Sequence, residues 1–229
     1  MLIGGLQPVT LLDYPQKVAA IIFTAGCNMR CPFCYNFKLV LPELINRDNL
    51  YEEDKVIDFL KRRKKYLDGL VITGGEPTLQ PDLPEFLRKM KKIGYSIKLD
   101  TNGLWPEVVA ALIEEGLVDY IAMDIKGPKD SYEKFAGVKA GRIEETISLI
   151  MNSALPYEFR STLVKGLHMA EDITLMAELI KGSDLYYLQN YGTSDPLAGP
   201  NFKGRSFTIK ELTEFQSLIG NQVKSCSIR

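Results

Sequence analysis

The chain has 229 residues, of which 45% are hydrophobic and 25% charged, the balance of an ordinary globular protein. Its formal charge of −1 leaves no overall basic field for nucleic acid or an anionic membrane, and the longest apolar run, 18–23, is far too short to cross a bilayer. No basic segment precedes an apolar core at the N-terminus, so a secretory signal is not expected.

Short segments rich in β-branched and aromatic residues alternate with longer segments of helical period. In chain order they predict a strand at 18–24, a helix at 52–67, a strand at 70–73 and a helix at 84–93. Then come a strand at 96–100, a helix at 106–115, a strand at 120–124 and a helix at 144–153. A strand at 158–164, a helix at 172–181, a strand at 185–190 and a helix at 209–219 complete the series. Pro84 and Pro106 suit first-turn positions, and Thr208 with Glu211 makes a capping box. Gly69, Gly94, Gly116 and Gly182 each follow a helical stretch, where a left-handed cap favours glycine. Strands separated by single helices are βα units with parallel strands, and without repeat or linker they predict one domain over 1–229. The basic runs 61–65, 88–89 and 91–92 read as solvated helix ends.

Polar residues collect where the strands end. The first strand runs into a cysteine-rich loop and the second into Gly74-Gly75-Glu76-Pro77. The third ends in Asp100-Thr101-Asn102-Gly103 and the fourth in Asp124-Ile125-Lys126. Arg160 and Thr162 lie on the fifth, and Gln189 and Asn190 finish the sixth. In parallel βα barrels the C-terminal strand ends share one face, which carries the active site, so these groups are expected in one cleft.

Of four cysteines, three fall in the loop Cys27-Asn28-Met29-Arg30-Cys31-Pro32-Phe33-Cys34, a CxxxCxxC pattern. Thiols crowded in this way, in a chain without a signal peptide, read as metal ligands in a reducing cytoplasm rather than as a disulfide framework. A structural zinc site wants four ligands, usually as two separated pairs. Cys226 is remote from the loop, and His168 is the only histidine. A cubane iron–sulfur cluster bound by three thiolates would leave one iron free for a small molecule. The spacing favours an open cluster over zinc and leaves both readings standing.

These residues carry a resemblance. The CxxxCxxC loop after the first strand, with an aromatic residue before its last cysteine, resembles the signature of the radical S-adenosylmethionine superfamily. The Gly74–Pro77 turn resembles that superfamily's second motif. Within it, 26–36 preceded by Thr10-Leu11-Leu12-Asp13-Tyr14-Pro15 is similar to activating proteins of anaerobic ribonucleoside-triphosphate reductases. The resemblance implies an α/β fold, a partial (β/α)6 TIM-like barrel. It implies one [4Fe–4S] cluster on Cys27, Cys31 and Cys34, and S-adenosylmethionine chelating the unique iron.

By the same resemblance, Gly74 and Gly75 offer backbone carbonyls to the ammonium of the methionyl group, supported by Glu76, and Phe33 offers a flat face to adenine. Asp100, Asn102, Asp124 and Lys126 fall in segments that contact the cofactor in glycyl-radical activases. Lys126 is expected on the methionyl carboxylate and an aspartate on the ribose. Some relatives hold a monovalent cation between such aspartates. Where certain activases place a histidine after the sixth strand, this chain reads Leu188-Gln189-Asn190-Tyr191, and His168 is expected to be structural or on the surface.

The implied function is reductive cleavage of S-adenosylmethionine and formation of a glycyl radical on a partner, the anaerobic ribonucleotide reductase. Cluster and cofactor carry the radical chemistry, and a flavodoxin- or ferredoxin-type protein supplies the electron. Two rival readings are a radical S-adenosylmethionine enzyme acting on a small molecule or peptide, and a zinc-stabilised interaction module without catalysis.

Overall fold

Side chains that alternate along the apolar segments decide how the sheet forms and which way it curls. The computed structural model describes residues 1–192 and 202–229. Among them one sheet holds eight strands in chain order: β1 (Ile3–Thr10), β2 (Ala19–Thr24), β3 (Gly69–Gly74), β4 (Ser96–Thr101), β5 (Tyr120–Asp124), β6 (Tyr157–Leu163), β7 (Tyr186–Asn190) and β8 (Cys226–Ile228). From β3 to β8 each strand pairs parallel with its predecessor, while β1 lies antiparallel on β2. Among the described residues β1 and β8 do not pair with each other, so the sheet curls into a partial barrel open on one side.

The strands β2 to β7 are the six that the apolar segments predict. β1 and β8 go beyond them. β1 contains Gly4, Gly5 and Pro8, and β8 has 3 residues, so neither shows the alternation that marks a strand in sequence. Both form by extending the ladder of an apolar neighbour.

The helices are α1 (Phe37–Val40), α2 (Glu53–Arg63), α3 (Leu83–Ile93), α4 (Pro106–Glu114), α5 (Tyr132–Ala136), α6 (Ile143–Asn152), α7 (Ala170–Leu179) and α8 (Ile209–Ile219). The helix expected at 52–67 ends at Arg63 and tightens into a 3-10 turn at Lys64–Tyr66. Pro106 opens α4, Pro84 lies in the first turn of α3, and Thr208 with Glu211 forms the capping box of α8. The short helices α1 and α5 are about one turn each and leave no period to read.

One face of the sheet packs against the helices. Ile22, Leu70, Ile72, Leu99, Ile121 and Phe159 meet Leu60, Phe86, Met90, Leu112, Ile150 and Met176 in the main core. The other face lines the hollow of the barrel, where Tyr14, Ala19, Ile21, Val71 and Tyr120 form a smaller apolar floor. Helices therefore cover the outside, and the hollow is left to the residues one position out of phase.

Gly69 corrects one expectation. It is the first residue of β3, paired with Ala19, and does not cap a helix. A Cβ built there would lie 2.7 Å from Cδ1 of Tyr14, so glycine makes room for the ring that closes the barrel floor. Gly94 does cap α3, with φ 98°. Replacing Gly69 with Ala should destabilise the protein by about 1–3 kcal/mol through overpacking, read as a lower midpoint in urea. An unchanged midpoint would show that Tyr14 moves freely.

Candidate active site

The C-terminal ends of β2 to β7 surround a cleft of about 480 Å³ that brings together Cys27, Cys31, Phe33 and Cys34 with Gly74, Gly75, Glu76, Asp100, Asn102, Asp124 and Lys126. Every site residue expected from the sequence reaches this one cavity. What each side chain does there differs from residue to residue.

The cysteine loop leaves β2 through Gly26, at φ 96°, and is fastened on several sides. The Arg30 N–H donates to the Ala136 carbonyl at 2.7 Å, and its guanidinium donates back to the carbonyls of Cys27 and Met29. The Cys34 N–H donates to the Cys31 carbonyl at 3.1 Å, and Met29 is buried in the main core as an anchor. Burial pushes the thiols up, Cys27 to about 11 and Cys31 to about 12, with Cys34 shifted the same way. The ammonium of Lys126 opposes that shift at all three, which places a cation beside the sulfurs.

Among the described residues, three thiols from one loop are the only thiols that line the cleft. Cys226 sits on β8 and packs against the main core on the other side of the sheet. His168 is buried and engaged through both nitrogens: Nδ1 accepts from the Val164 N–H at 3.1 Å, and Nε2 donates to the Lys126 carbonyl at 3.1 Å. Burial lowers its pKa, in keeping with a neutral ring. It is structural, as expected, and it holds the backbone of Lys126. Among the described residues no three Cys, His, Asp or Glu side chains close on a single ion. This donor set does not make a four-ligand zinc site. Three sulfurs around a pocket that also admits a small molecule fit an open iron–sulfur cluster.

The glycine turn is built by close approach. A Cβ on Gly74 would lie 2.3 Å from the Thr24 nitrogen, and one on Gly75 would lie 2.0 Å from the Gly26 carbonyl oxygen. The Gly75 N–H donates to Thr24 and the Glu76 N–H to Gly26, each at 2.8 Å, so turn and cysteine loop are laced together. The Gly74 carbonyl accepts from the Asn36 amide at 3.1 Å. Glu76 is fully buried. Its Oε1 accepts from the Thr78 N–H, the Thr78 hydroxyl and the Thr101 hydroxyl, and its Oε2 accepts from the Asn102 N–H at 2.7 Å. The carboxylate thus joins the turn to the end of β4. Asn102 extends the lacing, its amide donating to Asn28 Oδ1 at 2.7 Å. Phe33 packs edge-on to His168 and beside Phe202 at the base of the loop.

Across the hollow runs a line of alternating charge. Lys126 pairs with Asp124 at 3.1 Å, and Asp124 accepts from Arg160 Nε at 2.7 Å. Arg160 Nη1 reaches Asp100 at 3.0 Å, and Asp100 accepts from Lys98 at 2.7 Å. Lys98 lies 3.9 Å from Glu158, which accepts two bonds from Arg229, at 3.1 and 3.3 Å, and one from Tyr120 at 3.0 Å. Burial alone would raise the Asp100 and Asp124 carboxyls, but Arg160 with Lys98 or Lys126 outweighs it and holds both below the usual range. Burial would likewise lower Lys126 and Arg160, and the carboxylates outweigh it and raise both.

Both aspartates are therefore engaged within the wall. The space between them, where some relatives of the resembled family hold a monovalent cation, is spanned by the guanidinium of Arg160. Arg229 lines the cleft, and Lys98 and Glu158 stand buried behind its wall in the charge line; the sequence reading names none of the three. The signal was there: Lys98 and Glu158 stand two residues before Asp100 and Arg160 inside apolar strands, hence on the same inward face. Asn190 is also structural, exchanging hydrogen bonds with the backbone of Phe207.

Comparison with known proteins places the chain in a family. Residues 21–178 match the model of the radical SAM superfamily, and the chain belongs to that superfamily. A protein of Methanocaldococcus jannaschii named as a glycyl-radical enzyme activating enzyme is 38% identical over 202 residues, covering 85% of this chain and 81% of its own. The pyruvate formate-lyase-activating enzyme of Clostridium pasteurianum is 26% identical, over 78% of this chain and 76% of its own. Among solved structures, Streptococcus suis SuiB bound to S-adenosylmethionine superposes with a TM-score of 0.65 at 15% identity. It covers 91% of this chain, which spans about half (51%) of SuiB, and at that identity it shows the fold alone.

The charge line sets a pH dependence. Asp100 and Asp124, depressed in the folded state, contribute stability above the ordinary carboxylate pKa and lose it as pH falls. Lys126, raised, contributes below the ordinary lysine pKa and loses that contribution as pH rises, while Arg160, raised from an already higher value, stays charged throughout. The melting temperature should therefore hold between about pH 4 and pH 10 and drop outside that window. Asp124→Asn should cost roughly 3–5 kcal/mol at neutral pH, because Arg160 and Lys126 lose a buried partner, and should flatten the acid-side drop. Thermal melts of both proteins from about pH 3 to about pH 11 test this; parallel curves on the acid side would mean the line carries no such linkage.

Proposed function

We propose that this chain is a glycyl-radical enzyme activase whose partner is the anaerobic ribonucleoside-triphosphate reductase, acting as one domain over 1–229 in a reducing cytoplasm. In this reading Cys27, Cys31 and Cys34 hold a [4Fe–4S] cluster, and S-adenosylmethionine lies against it in the cleft. So loaded, and with an electron from a flavodoxin- or ferredoxin-type donor, the site would supply the radical chemistry that removes a hydrogen atom from a glycine of the partner.

The chain's own residues bind and orient. Lys126, held from behind by His168 and from the side by Asp124, presents its ammonium next to the sulfurs, where it serves the methionyl carboxylate. Asp124 and Asp100 act through Lys126 and Arg160 rather than by offering free oxygens. Gly74 and Gly75 bring the turn's backbone up to the cysteine loop for the methionyl ammonium, with Glu76 and Asn102 bracing that turn. Phe33 walls the cleft beside the loop as a face for adenine.

The observation that carries the partner reading is the open side of the barrel. The cleft is bounded there by Gln7 and Asp13 near β1 and by Arg229 after β8, with no strand between among the described residues. Next to Asp13, at the tip of the β1–β2 loop, Leu11 and Leu12 are 73% and 86% exposed. A side entrance flanked by exposed leucines suits a protein loop better than a small molecule.

Changing Cys27, Cys31 or Cys34 to Ala should abolish cluster assembly, measured as iron and sulfide in anaerobically prepared protein, whereas Cys226→Ala should keep both. Iron retained by Cys31→Ala and lost by Cys226→Ala would overturn the assignment. The reduced, loaded protein with S-adenosylmethionine should raise an electron paramagnetic resonance doublet on the reductase, from coupling to the one remaining α-hydrogen. Replacing the reductase glycine by alanine should remove the doublet. A wild-type reductase that stays silent, with a small substrate accelerating 5′-deoxyadenosine release instead, would leave the superfamily and remove the activase.

A further inference from the structure

The cleft has a second polar wall that the cysteine loop and the glycine turn do not use. Thr162 on β6 and Gln189 on β7 are register partners, and both line the cleft. Among the described residues neither side chain makes a hydrogen bond, and both groups face the cleft from adjacent strands. Arg229 continues the row. Its N–H donates to the Leu188 carbonyl at 2.9 Å, and its carbonyl accepts from the Asn190 N–H at 3.1 Å, which sets it beside Gln189 one strand further out.

Three adjacent strands thus present a hydroxyl, an amide and a guanidinium in one line, at the spacing of roughly 4.8 Å that separates neighbouring strands. The Arg229 side chain is 35% exposed and stands at the open edge of the sheet. Tyr187 covers one face of its guanidinium, with 3.3 Å to the ring centroid, and two of its five N–H donors go to Glu158. Among the described residues the others have no partner.

We propose that the row Thr162–Gln189–Arg229 is the substrate wall of the cleft, and that it receives the main chain of the extended polypeptide segment carrying the reacting glycine. Arg229 donates to carbonyls of that segment. The Gln189 amide both donates and accepts, and so does the Thr162 hydroxyl. Each peptide unit offers one donor and one acceptor, which this mixture matches. A phosphate or carboxylate ligand would call for more cations, and the charge of Arg229 is already balanced by Glu158. The assignment rests on the activase reading and names the surface that reading needs.

The test is an anaerobic titration of fluorescently labelled reductase with the iron-loaded protein, without reductant, so that binding is read apart from turnover. The double variant Gln189→Ala/Thr162→Val removes groups with no internal partner and should melt as the wild type does. It should bind the reductase about ten-fold more weakly, the loss of two ordinary hydrogen bonds. Arg229→Lys keeps a cation for Glu158, loses the planar fork, and should weaken binding about five-fold. Wild-type affinity in both variants, with the glycyl doublet still formed, overturns the wall and leaves the activase standing. Absence of the doublet with wild-type protein overturns both together.

Discussion

The line of alternating charge through the hollow is what the rest of the site depends on. A partial barrel faces a problem that a closed one does not: its inner face cannot be filled with layered apolar side chains when one side stands open to water. This chain fills the lower part with Tyr14, Ile21, Val71 and Tyr120 and the upper part with paired ions. Each ion from Asp124 to Glu158 has a neighbour of opposite sign on both flanks, so desolvation is offset along the whole line. The line starts and ends on a cation, Lys126 beside the sulfurs and Arg229 at the open edge. Its two ends are the places where an added acceptor would be welcome.

That design gives the aspartates a structural part whatever else they meet in the cleft. In the fold the oxygens of Asp100 and Asp124 pair with Lys98, Arg160 and Lys126, which ties the position of Lys126 to the strand ends. His168 does the same from outside, through the Lys126 carbonyl. A single lysine is thereby held by a carboxylate at its head and an imidazole at its backbone.

Much of this was legible from residues alone. The short apolar segments located β2 to β7 because parallel strands covered by helices outside and by the barrel hollow inside, as β2 to β5 are here, are buried on both faces and read as continuous apolar runs. The cysteine spacing and the glycine turn identified the cleft because their chemistry is local. β1 and β8 escaped because an edge strand can form on its neighbour's ladder without an apolar pattern of its own. Lys98, Glu158 and Arg229 escaped for a different reason. A buried ion is recognisable only with its partner, and these partners lie on other strands, up to 71 residues apart.

The contact between the glycine turn and the cysteine loop has a consequence for grafting. Gly75 and Gly26 meet so closely that a methyl group cannot pass between them, and Glu76 bonds back to Gly26. The two signatures are thus one piece of architecture shared by neighbouring strands, and neither is a portable cassette. A designer who moved the CxxxCxxC loop into another α/β scaffold would carry the thiols across but lose the surface that moulds them. The smallest transplantable unit is the pair of adjacent strands with both loops, cut as a block.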